Sequence, residues 1–286
     1  MARIEFGLFC GRDGLAKIFR YRPVLSRIFT PPEYGRSEGV SCRLAGILEH
    51  KMKGPDDSQE LALQRVYNAR FAGKTNYRTK IWQVLAPYFG QWFPSTGSVL
   101  DLGAGYCEFI NNASAGVKYA MDLNPDIHKR AAQGIVVMHQ DCAAPWALPD
   151  NELDAVFTSN FLEHLPNKDA VKAVLSNAYR CLKPGGRFIA MGPNIKYIPG
   201  AYWDFFDHYV ELTELSLAEA LTDCGYEIEQ AVARFLPYTM SHGRQYPAWM
   251  LQFYLAMPVV WPIFGKQFLV VGRKTSRGES SESGQA

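Results

Sequence analysis

The sequence predicts an α/β fold with a mostly parallel, seven-stranded sheet that is covered by helices on both faces. Short apolar runs alternate with helical spans after residue 98, which is typical of βαβ units. The first of these runs leads into a turn with two glycines, a usual position for a ligand site in such sheets. With 286 residues and 48% hydrophobic content, the chain can bury a large core.

The stretch Ser98–Phe109, "SVLDLGAGYCEF", has the order of a strand, a turn and a helix start. Asp101 stands near the end of the apolar run, and Gly103 and Gly105 follow it. This order places a tight turn at the carboxyl edge of a parallel sheet, where bare backbone N–H groups can approach a ligand closely. We therefore predict a small-molecule site at this turn.

The charges beside the turn indicate which ligand it binds. A dinucleotide fingerprint, G-x-G-x-x-G, requires a third glycine at position 108, but this chain has Glu108 there. Glu108 and Asp101 would both repel a pyrophosphate. A ligand with a cationic end is favoured, and S-adenosylmethionine (SAM) has an ammonium group, a sulfonium group and no phosphate.

At Asp101, Gly103 and Gly105 the sequence resembles the D-x-G-x-G first motif of the class I SAM-dependent methyltransferases. The resemblance extends in order and spacing from about Lys80 to Phe235, and "CLKPGGRF" (Cys181–Phe188) is similar to the family's last common motif. It implies a Rossmann-like domain with SAM as its cofactor. For the glycine pair taken alone, an ordinary strand-to-helix turn remains the alternative.

The other elements follow from apolar periodicity and from helix-ending residues. Six further strands are predicted, at Val117–Leu123, Gly134–Asp141, Leu153–Asn160, Arg187–Gly192, Tyr226–Phe235 and Gln267–Arg273. Helices are predicted at Leu61–Phe71, Tyr77–Phe89, Lys168–Leu182 and Ser216–Cys224. Pro184-Gly185-Gly186 should end the third of these helices, and Ser216 with Glu219 has the pattern of a capping box. Gly225 stands where a left-handed C-terminal cap belongs.

The end of the second predicted strand supplies a further carboxylate for the ligand. Asp122 lies 21 positions after Asp101, and a carboxylate there can accept hydrogen bonds from both ribose hydroxyls. The alternative is an acidic residue that only caps the strand. Because the spacing from the glycine turn fits a ligand role, we predict that Asp122 binds the ribose.

The resemblance assigns further cofactor contacts to positions of this chain. It implies that Asp141 binds the adenine amino group, that the Cys142 N–H binds a ring nitrogen, and that Leu123 and Cys142 form apolar walls. Asn160, in "SNFLEHL", would lie under the methionine part, and Ala104 belongs to the glycine turn. Helices before the first strand often cover the cofactor in this family, which makes four residues weak candidates for the methionine carboxylate: Arg70, Lys74, Tyr77 and Arg78.

Two histidines are candidates for a general base. Methyl transfer needs a base only if the acceptor must lose a proton, as an alcohol would. We predict His164 or His208 for this role, with Asp207 setting the tautomer of His208. The alternatives are a structural His164 and an aromatic core patch around His208.

The two ends of the chain lie outside the predicted domain of residues 58–275. Residues 1–57 form a basic appendage and linker, with ten lysines and arginines against five acidic residues in residues 1–54. Residues 15–29 within it have the pattern of a basic amphipathic segment. The Ser/Gly/Glu-rich tail of residues 276–286 is expected to be disordered.

An apolar insertion is predicted at about residues 238–265, between the last two strands. Its uncharged run, Tyr246–Phe264, is long enough to suggest a membrane helix, but Pro258 and Pro262 would break such a helix. We interpret it as a lid, a dimer face or an apolar acceptor groove. Together with the basic appendage it supports the hypothesis of a lipid-linked acceptor or a peripheral membrane location.

Composition limits the remaining function classes. A net charge of +2 gives no reason to expect nucleic acid as a partner. The six cysteines are scattered without C-x-x-C or ligand-spaced histidines, so neither a disulfide framework nor a metal site is predicted. Scattered cysteines and the lack of a secretory signal pattern lead us to expect a cytoplasmic protein.

The sequence as a whole predicts an enzyme that transfers a methyl group from SAM to a small-molecule or glycan/lipid-linked acceptor, at an oxygen atom. A nucleotide-dependent oxidoreductase is one alternative, and it would bind NAD tightly. A non-catalytic partner protein with the same fold is the other, and it would bind SAM weakly and turn nothing over.

Overall fold

The computed structural model describes residues 75–238 and 246–275. The basic appendage, the predicted helix at residues 61–71, the candidates Arg70 and Lys74, and the tail of residues 276–286 lie outside the described residues. The seven predicted strands and the three later helices fall within them.

The centre of the domain is one seven-stranded sheet. Its strands are β1 (Ser98–Leu102), β2 (Val117–Asp122), β3 (Ile135–His139), β4 (Leu153–Ser159), β5 (Leu182–Pro193), β6 (Tyr226–Val232) and β7 (Gln267–Lys274). They lie in the order β3-β2-β1-β4-β5-β7-β6. The first five strands pair in parallel, and β7 runs antiparallel to both β5 and β6. The prediction of a mostly parallel sheet is confirmed.

Helices connect the strands and cover the sheet. They are α1 (Thr75–Phe89), α2 (Glu108–Asn112), α3 (Ile127–Arg130), α4 (Lys168–Cys181), α5 (Glu214–Asp223), α6 (Ala248–Ala256) and α7 (Trp261–Phe264). Asn167 caps the start of α4 by accepting from the Ala170 N–H through its side chain at 2.9 Å, a standard way of satisfying an orphan helix donor.

Each face of the sheet is buried under its own apolar cluster. One cluster joins Leu100 and Leu102 of β1 to Val174 of α4 and Leu217 of α5. The other joins Val99 of β1 to helices α1, α2 and α7. Because side chains alternate between the two faces of a strand, β1 contributes to both clusters and is buried along its whole length. Helices therefore cover both faces, as predicted.

The end of α4 and the start of β5 differ from the prediction. Helix α4 ends at Cys181 and β5 begins at once with Leu182, so that Pro184-Gly185-Gly186 lies inside the strand. Leu153 pairs with Leu182 and Ala155 pairs with Arg187. An advance of two residues along β4 therefore corresponds to an advance of five residues along β5. Gly185 has a φ of +81°, a conformation that suits glycine. The three residues form an irregularity within β5 and do not serve as a helix stop.

The capping box of α5 also differs from the prediction. It is formed by Thr213 and Ser216: the Ser216 N–H donates to Thr213 Oγ1 at 3.1 Å and the Thr213 N–H donates to Ser216 Oγ at 2.9 Å. The predicted pair of Ser216 and Glu219 was wrong because the helix starts two residues earlier, at Glu214. Gly225 has a φ of +96°, which confirms the left-handed residue after the helix.

The apolar insertion folds as two short helices between β6 and β7. Helix α6 ends before Pro258, as predicted, whereas Pro262 lies in the first turn of α7, where proline is tolerated, and does not break that helix. The Tyr254 hydroxyl donates to the Phe235 carbonyl at 2.6 Å, and Trp261 Nε1 donates to the Tyr254 carbonyl at 2.9 Å. Within residues 75–238 and 246–275, none of the helices combines the length and the apolar character needed to cross a membrane.

Candidate active site

The glycine turn after β1 uses its backbone N–H groups internally. Gly103 and Ala104 both donate to the Met121 carbonyl of β2, at 2.9 and 3.0 Å, and the Gly105 N–H donates to Asp122 Oδ2 at 2.7 Å. The prediction of bare N–H groups was therefore wrong, because the neighbouring strand supplies their acceptors. A turn whose donors are already engaged is poorly suited to a pyrophosphate, which needs N–H groups.

The shape of the turn requires glycine at position 103. Gly103 has a φ of +68°, and a Cβ built there would lie under 3.0 Å from the Phe161 side chain. Phe161 follows β4 directly, so its ring packs over the turn from the neighbouring strand. The turn and the β4 loop are therefore held together at the carboxyl edge of the sheet.

Substitution of Gly103 by Ala should cost more stability than the same change at Gly134. Both glycines have positive φ, but a Cβ at Gly134 would meet nothing within 4 Å. Each variant loses about 1 kcal/mol from left-handed strain, and Gly103→Ala adds about 1–3 kcal/mol of overpacking against Phe161. Urea unfolding of both variants measures the difference, and equal losses would contradict the contact.

Asp122 ends β2 with its carboxylate fixed in place. Its Oδ2 accepts from the Gly105 N–H and its Oδ1 accepts from the Asn124 N–H at 2.8 Å. The residue is 7% exposed, and burial raises its pKa against the opposing effect of these hydrogen bonds. The carboxylate is thus anchored on both oxygens, and each oxygen has a second lone pair for a ligand.

Asp101 lies beneath the turn, in the middle of the sheet. It is 4% exposed, and the Ile110 N–H at the start of α2 donates to its Oδ2 at 3.3 Å. Burial raises the pKa of Asp101 to about 8, and the charges of Asp122 and Glu108 add to the increase. Near neutral pH this carboxyl group therefore holds a proton unless a cation comes close.

Glu108 contributes less negative charge than the sequence predicts. Arg78 of α1 forms a two-pronged ion pair with it, in which Nε donates to Oε1 at 2.7 Å and a terminal nitrogen contacts Oε2. The side chains of both residues are about nine-tenths buried. Arg78, predicted as a candidate for the methionine carboxylate, is placed on Glu108. The negative charge of the site therefore rests on Asp122, and on Asp101 only when a nearby cation favours its ionised form.

The loop after β3 carries two of the predicted adenine contacts, Asp141 and Cys142. Strand β3 ends at His139, so Asp141 lies two residues beyond the strand and is exposed. Its Oδ1 accepts from the Ala143 N–H at 2.8 Å, which fixes the loop in an Asx turn. Cys142 is 3% exposed, and the Leu123 carbonyl accepts from His139 Nε2 at 2.9 Å.

Asn160 follows β4 in a left-handed conformation. Its φ is +50°, its N–H donates to the Met191 carbonyl at 2.9 Å, and its side-chain amide donates to Ser159 Oγ at 2.9 Å. Asparagine is one of the few residues that tolerate this conformation. The bend turns the chain at the carboxyl edge of the sheet, where Phe161 meets the glycine turn.

A cluster of polar groups follows on the same loop. His164 Nδ1 lies 2.9 Å from the Asp207 carbonyl and 3.2 Å from Asp207 Oδ2, and the His164 and His208 rings are 4.9 Å apart. Burial lowers the pKa of His164, but the hydrogen bond with Asp207 and the charges of Glu163 and Asp207 outweigh it, so the pKa is raised. The prediction paired Asp207 with His208, whereas the structure pairs it with His164.

Glu163 joins this cluster, although no pattern in the sequence predicts it. Its side chain is 3% exposed, and its Oε1 lies 4.0 Å from His164 Nε2. Its carbonyl accepts from the N–H groups of Tyr209 and Val210 at 2.8 and 3.2 Å. These bonds tie the β4 loop to residues 207–210, an approach of distant segments that no local pattern reveals.

An α/β sheet with a glycine turn and two buried carboxylates at its carboxyl edge defines a ligand-binding domain of the Rossmann-like class. Comparison with known proteins shows what the chain is similar to. Residues 100–190 match the family model described as "Methyltransferase domain". A protein of Mycolicibacterium smegmatis named "Probable S-adenosylmethionine-dependent methyltransferase" is 29% identical over 143 residues, which cover 44% of this chain and 54% of that protein. The chain thus spans about half the length of this curated relative.

Solved structures support the same fold. A SAM-dependent methyltransferase from Archaeoglobus fulgidus matches with a TM-score of 0.55 and 17% identity, covering 74% of this chain and 99% of that chain. A chain from the solved "Complex between the Haloferax volcanii Trm112 methyltransferase activator and the putative methyltransferase" matches with a TM-score of 0.52 and 16% identity, covering 77% of this chain and 95% of that chain. Residues 100–190 thus resemble a methyltransferase domain, and the described residues share the fold of solved SAM-dependent methyltransferases.

Proposed function

We propose that this chain transfers the methyl group of SAM to an oxygen atom of a small-molecule or glycan/lipid-linked acceptor. The observation that supports it best combines two features at the carboxyl edge of the sheet. One is the pair of buried carboxyl groups of Asp101 and Asp122, which we call the acidic rim. The other is the glycine turn, whose N–H groups already donate to acceptors within the protein. The carboxyl group of Asp101, whose ionised form a nearby cation favours, and the Asp122 carboxylate suit a cationic ligand, while Gly103, Ala104 and Gly105 have no donors left for a phosphate. The same observation counts against a nicotinamide-dependent oxidoreductase.

Each predicted cofactor-binding residue has a role in this proposal. Asp122 accepts hydrogen bonds from the ribose hydroxyls, and Asp101 faces the positive charge near the methionine end. Asp141, Leu123 and Cys142 surround the adenine. The glycine turn and Asn160 shape the floor beneath the methionine part.

When bound, SAM supplies a methyl group on a positively charged sulfur. The positive charge disperses as the acceptor oxygen approaches, so alignment and exclusion of water account for much of the rate. The rim residues orient the donor, and the β4 loop faces the acceptor. The cluster of His164, His208 and Asp207 is assigned to removal of the proton from an acceptor hydroxyl.

Binding of SAM should release a proton below pH 8. The raised pKa of Asp101, about 8, leaves its carboxyl protonated at pH 7, and a cation nearby favours its ionised form. Affinity should therefore rise with pH up to about 8 and then level off. Calorimetry at pH 7 in two buffers of different ionisation enthalpy measures the proton, and Asp101→Asn should release none.

The same raised pKa affects stability in the opposite direction when SAM is absent. The folded protein keeps a proton on Asp101 that the unfolded chain loses above pH 4, so this residue's contribution to stability is lost as the pH rises from about 4 to about 8.

The proton released on SAM binding also tests the assignment to Asp101. If SAM binding released as many protons at pH 9 as at pH 7, the assignment would be contradicted.

The apolar insertion supports a lipid-linked acceptor and a peripheral membrane location. Trp249 and Phe253 on α6, and Ile263 and Phe264 on α7, are all more than half exposed, and residues 246–264 contain no charged side chain. Exposed aromatic and aliphatic groups of this kind suit the interface of a bilayer. The described cysteines are all free thiols, in keeping with a cytoplasmic membrane surface.

Flotation with anionic liposomes tests the membrane proposal. Wild-type protein should float, and the double substitution Trp249→Ser with Phe253→Ser should stay at the bottom while its circular dichroism is unchanged. If wild type does not float with or without residues 1–54, the membrane proposal is wrong. If light scattering shows that the wild-type protein is a dimer and that the same substitutions make it a monomer, this surface binds a second copy of the chain instead of a membrane.

Calorimetric titration with SAM, S-adenosylhomocysteine and NAD tests the proposed function itself. SAM and S-adenosylhomocysteine should bind and NAD should not. An activity screen with labelled SAM over cell extracts then shows which acceptors take the methyl group. Tight NAD binding would support the oxidoreductase, and SAM binding without turnover would support a non-catalytic partner protein.

A further inference from the structure

Glu163, His164 and His208 bring one ligand atom each into a small volume. Their candidate atoms, a carboxylate oxygen and two ring nitrogens, all lie within 4.8 Å of one another. Glu163 is 2% exposed and His208 is 6% exposed, while the His164 side chain is 27% exposed. The cluster is thus buried on two sides and open to solvent at His164.

Asp207 fixes the orientation of His164. A carbonyl oxygen at 2.9 Å and a carboxylate oxygen at 3.2 Å both face Nδ1, so Nδ1 is the nitrogen that holds a proton and donates it. The lone pair of a neutral His164 ring is then on Nε2, which lies 4.0 Å from Glu163 Oε1. Two electron-rich atoms at this separation in a buried setting favour a positive charge between them.

We propose that Glu163, His164 and His208 form a binding site for one divalent transition-metal cation, with Zn²⁺ preferred over Mg²⁺. Two imidazoles and one carboxylate are the ligand set of several catalytic zinc sites, whereas Mg²⁺ prefers oxygen ligands and water. Asp207 is the outer partner that holds His164 in the ligating tautomer, an arrangement that is general for metal-bound histidine. His164 is the side through which solvent or an acceptor reaches the cation.

The geometry requires only a small closure. Ligand atoms around a tetrahedral zinc ion lie about 3.3 Å apart, from bond lengths of about 2.0–2.1 Å. The separation of 4.0 Å between Nε2 and Oε1 must therefore shorten by about 0.7 Å. All three separations lie within 4.8 Å, so none must shorten by more than about 1.5 Å. The backbone is already fixed, because Tyr209 and Val210 donate to the Glu163 carbonyl.

No spacing in the sequence indicates this site. Glu163 and His164 are adjacent, and His208 lies 44 positions further along the chain, so the site does not resemble a short metal motif. The absence of a predicted metal site followed from this lack of local spacing. Only the contact between the β4 loop and residues 207–210 brings the three ligands together.

The site gives the proposed methyl transfer a way to activate its acceptor, and this part rests on the proposed function. With the cation bound, His164 is a ligand and no longer the base, so an acceptor hydroxyl that takes the open coordination position would lose its proton to solvent, at a lower pH because the cation lowers the hydroxyl pKa. The oxygen then attacks the methyl carbon, the new C–O bond forms as the C–S bond breaks, and the sulfur keeps the electron pair. S-adenosylhomocysteine and the methyl ether leave.

Metal content tests the binding site without any activity measurement. Tag-free full-length protein is dialysed against a chelator, and Zn²⁺ and Mg²⁺ are titrated by calorimetry. Wild type should bind one Zn²⁺ per chain and bind Mg²⁺ at least 100-fold more weakly. His208→Asn and Glu163→Gln should each weaken Zn²⁺ binding at least 100-fold, and Asp207→Asn should weaken it about 10–100-fold.

His128→Asn is the matched control, because His128 is an exposed histidine outside the cluster and its loss should change nothing. Equal Zn²⁺ affinity in wild type and His208→Asn, or no Zn²⁺ binding by wild type, would overturn the proposal. If the variants fail to fold, the visible absorption of Co²⁺-loaded wild type decides between a protein-bound ion and a merely hydrated one. Zn²⁺ binding without methyl transfer would leave the site in place and reject only the proposed function.

Discussion

Asp122→Asn is expected to weaken SAM binding by about 10²–10⁴-fold. Under the proposed function this carboxylate accepts two ribose hydroxyls, and a hydrogen bond to a charged acceptor contributes about 1.5–3 kcal/mol. Losing the charge at both bonds corresponds to that change in affinity. In the wild type, the N–H groups of Gly105 and Asn124 donate to the two carboxylate oxygens. In the variant the amide NH₂ group replaces one of these oxygens, so that one of the two N–H groups faces a donor and loses its acceptor. Calorimetric titration with SAM measures the effect.

Stability should change much less than affinity in this variant. Burial raises the pKa of Asp122, which means that the folded protein keeps its ionised form at a cost, and a neutral side chain avoids that cost. Asp126→Asn is the matched control, since it removes the same charge from the loop after β2, where Asp126 pairs with Lys129 at the surface. Equal losses of affinity in the two variants would show that general charge, and not the ribose contact, explains the effect.

The fold could be predicted from the sequence wherever local chemistry decides it. All seven strands lie where apolar runs indicate them, and Gly225 adopts the left-handed cap that its position suggests. The two errors concern boundaries that tertiary contacts set. Pairing with β4 draws Leu182 into β5 immediately after the helix, and Thr213 captures Ser216 before the predicted pair can form.

The site could be predicted less completely, because its charges are settled by long-range contacts. The positions of Asp101, Gly103, Gly105 and Asp122 at the carboxyl edge of the sheet can be predicted from the sequence. It does not show that Arg78 neutralises Glu108, 30 positions away, or that Asp207 lies against His164, 43 positions away. Both contacts join segments whose spacing follows only from the folded sheet.

His164→Asn is expected to lower kcat for methyl transfer to a hydroxyl by about 10²–10⁴-fold, the range for loss of a group that handles the proton. The affinity for SAM should stay within about twofold of wild type, since the rim residues Asp101 and Asp122 are unchanged. Calorimetry and initial rates with labelled SAM separate the two quantities. A parallel loss of affinity and rate would assign His164 a structural role.

The pH dependence of the remaining rate distinguishes lost proton handling from a disturbed fold. In the metal-free enzyme His164 is the assigned base. Without it hydroxide must remove the acceptor proton, so the rate of metal-free His164→Asn should rise about tenfold per pH unit between about pH 7 and pH 9. Wild type should be nearly flat above the raised pKa of His164, where the ring is neutral. Asp207→Asn, which keeps the ring but removes the carboxylate at 3.2 Å, should fall between the two because Asp207 only positions His164. A flat, low profile in His164→Asn would mean that the chemical step does not depend on this proton.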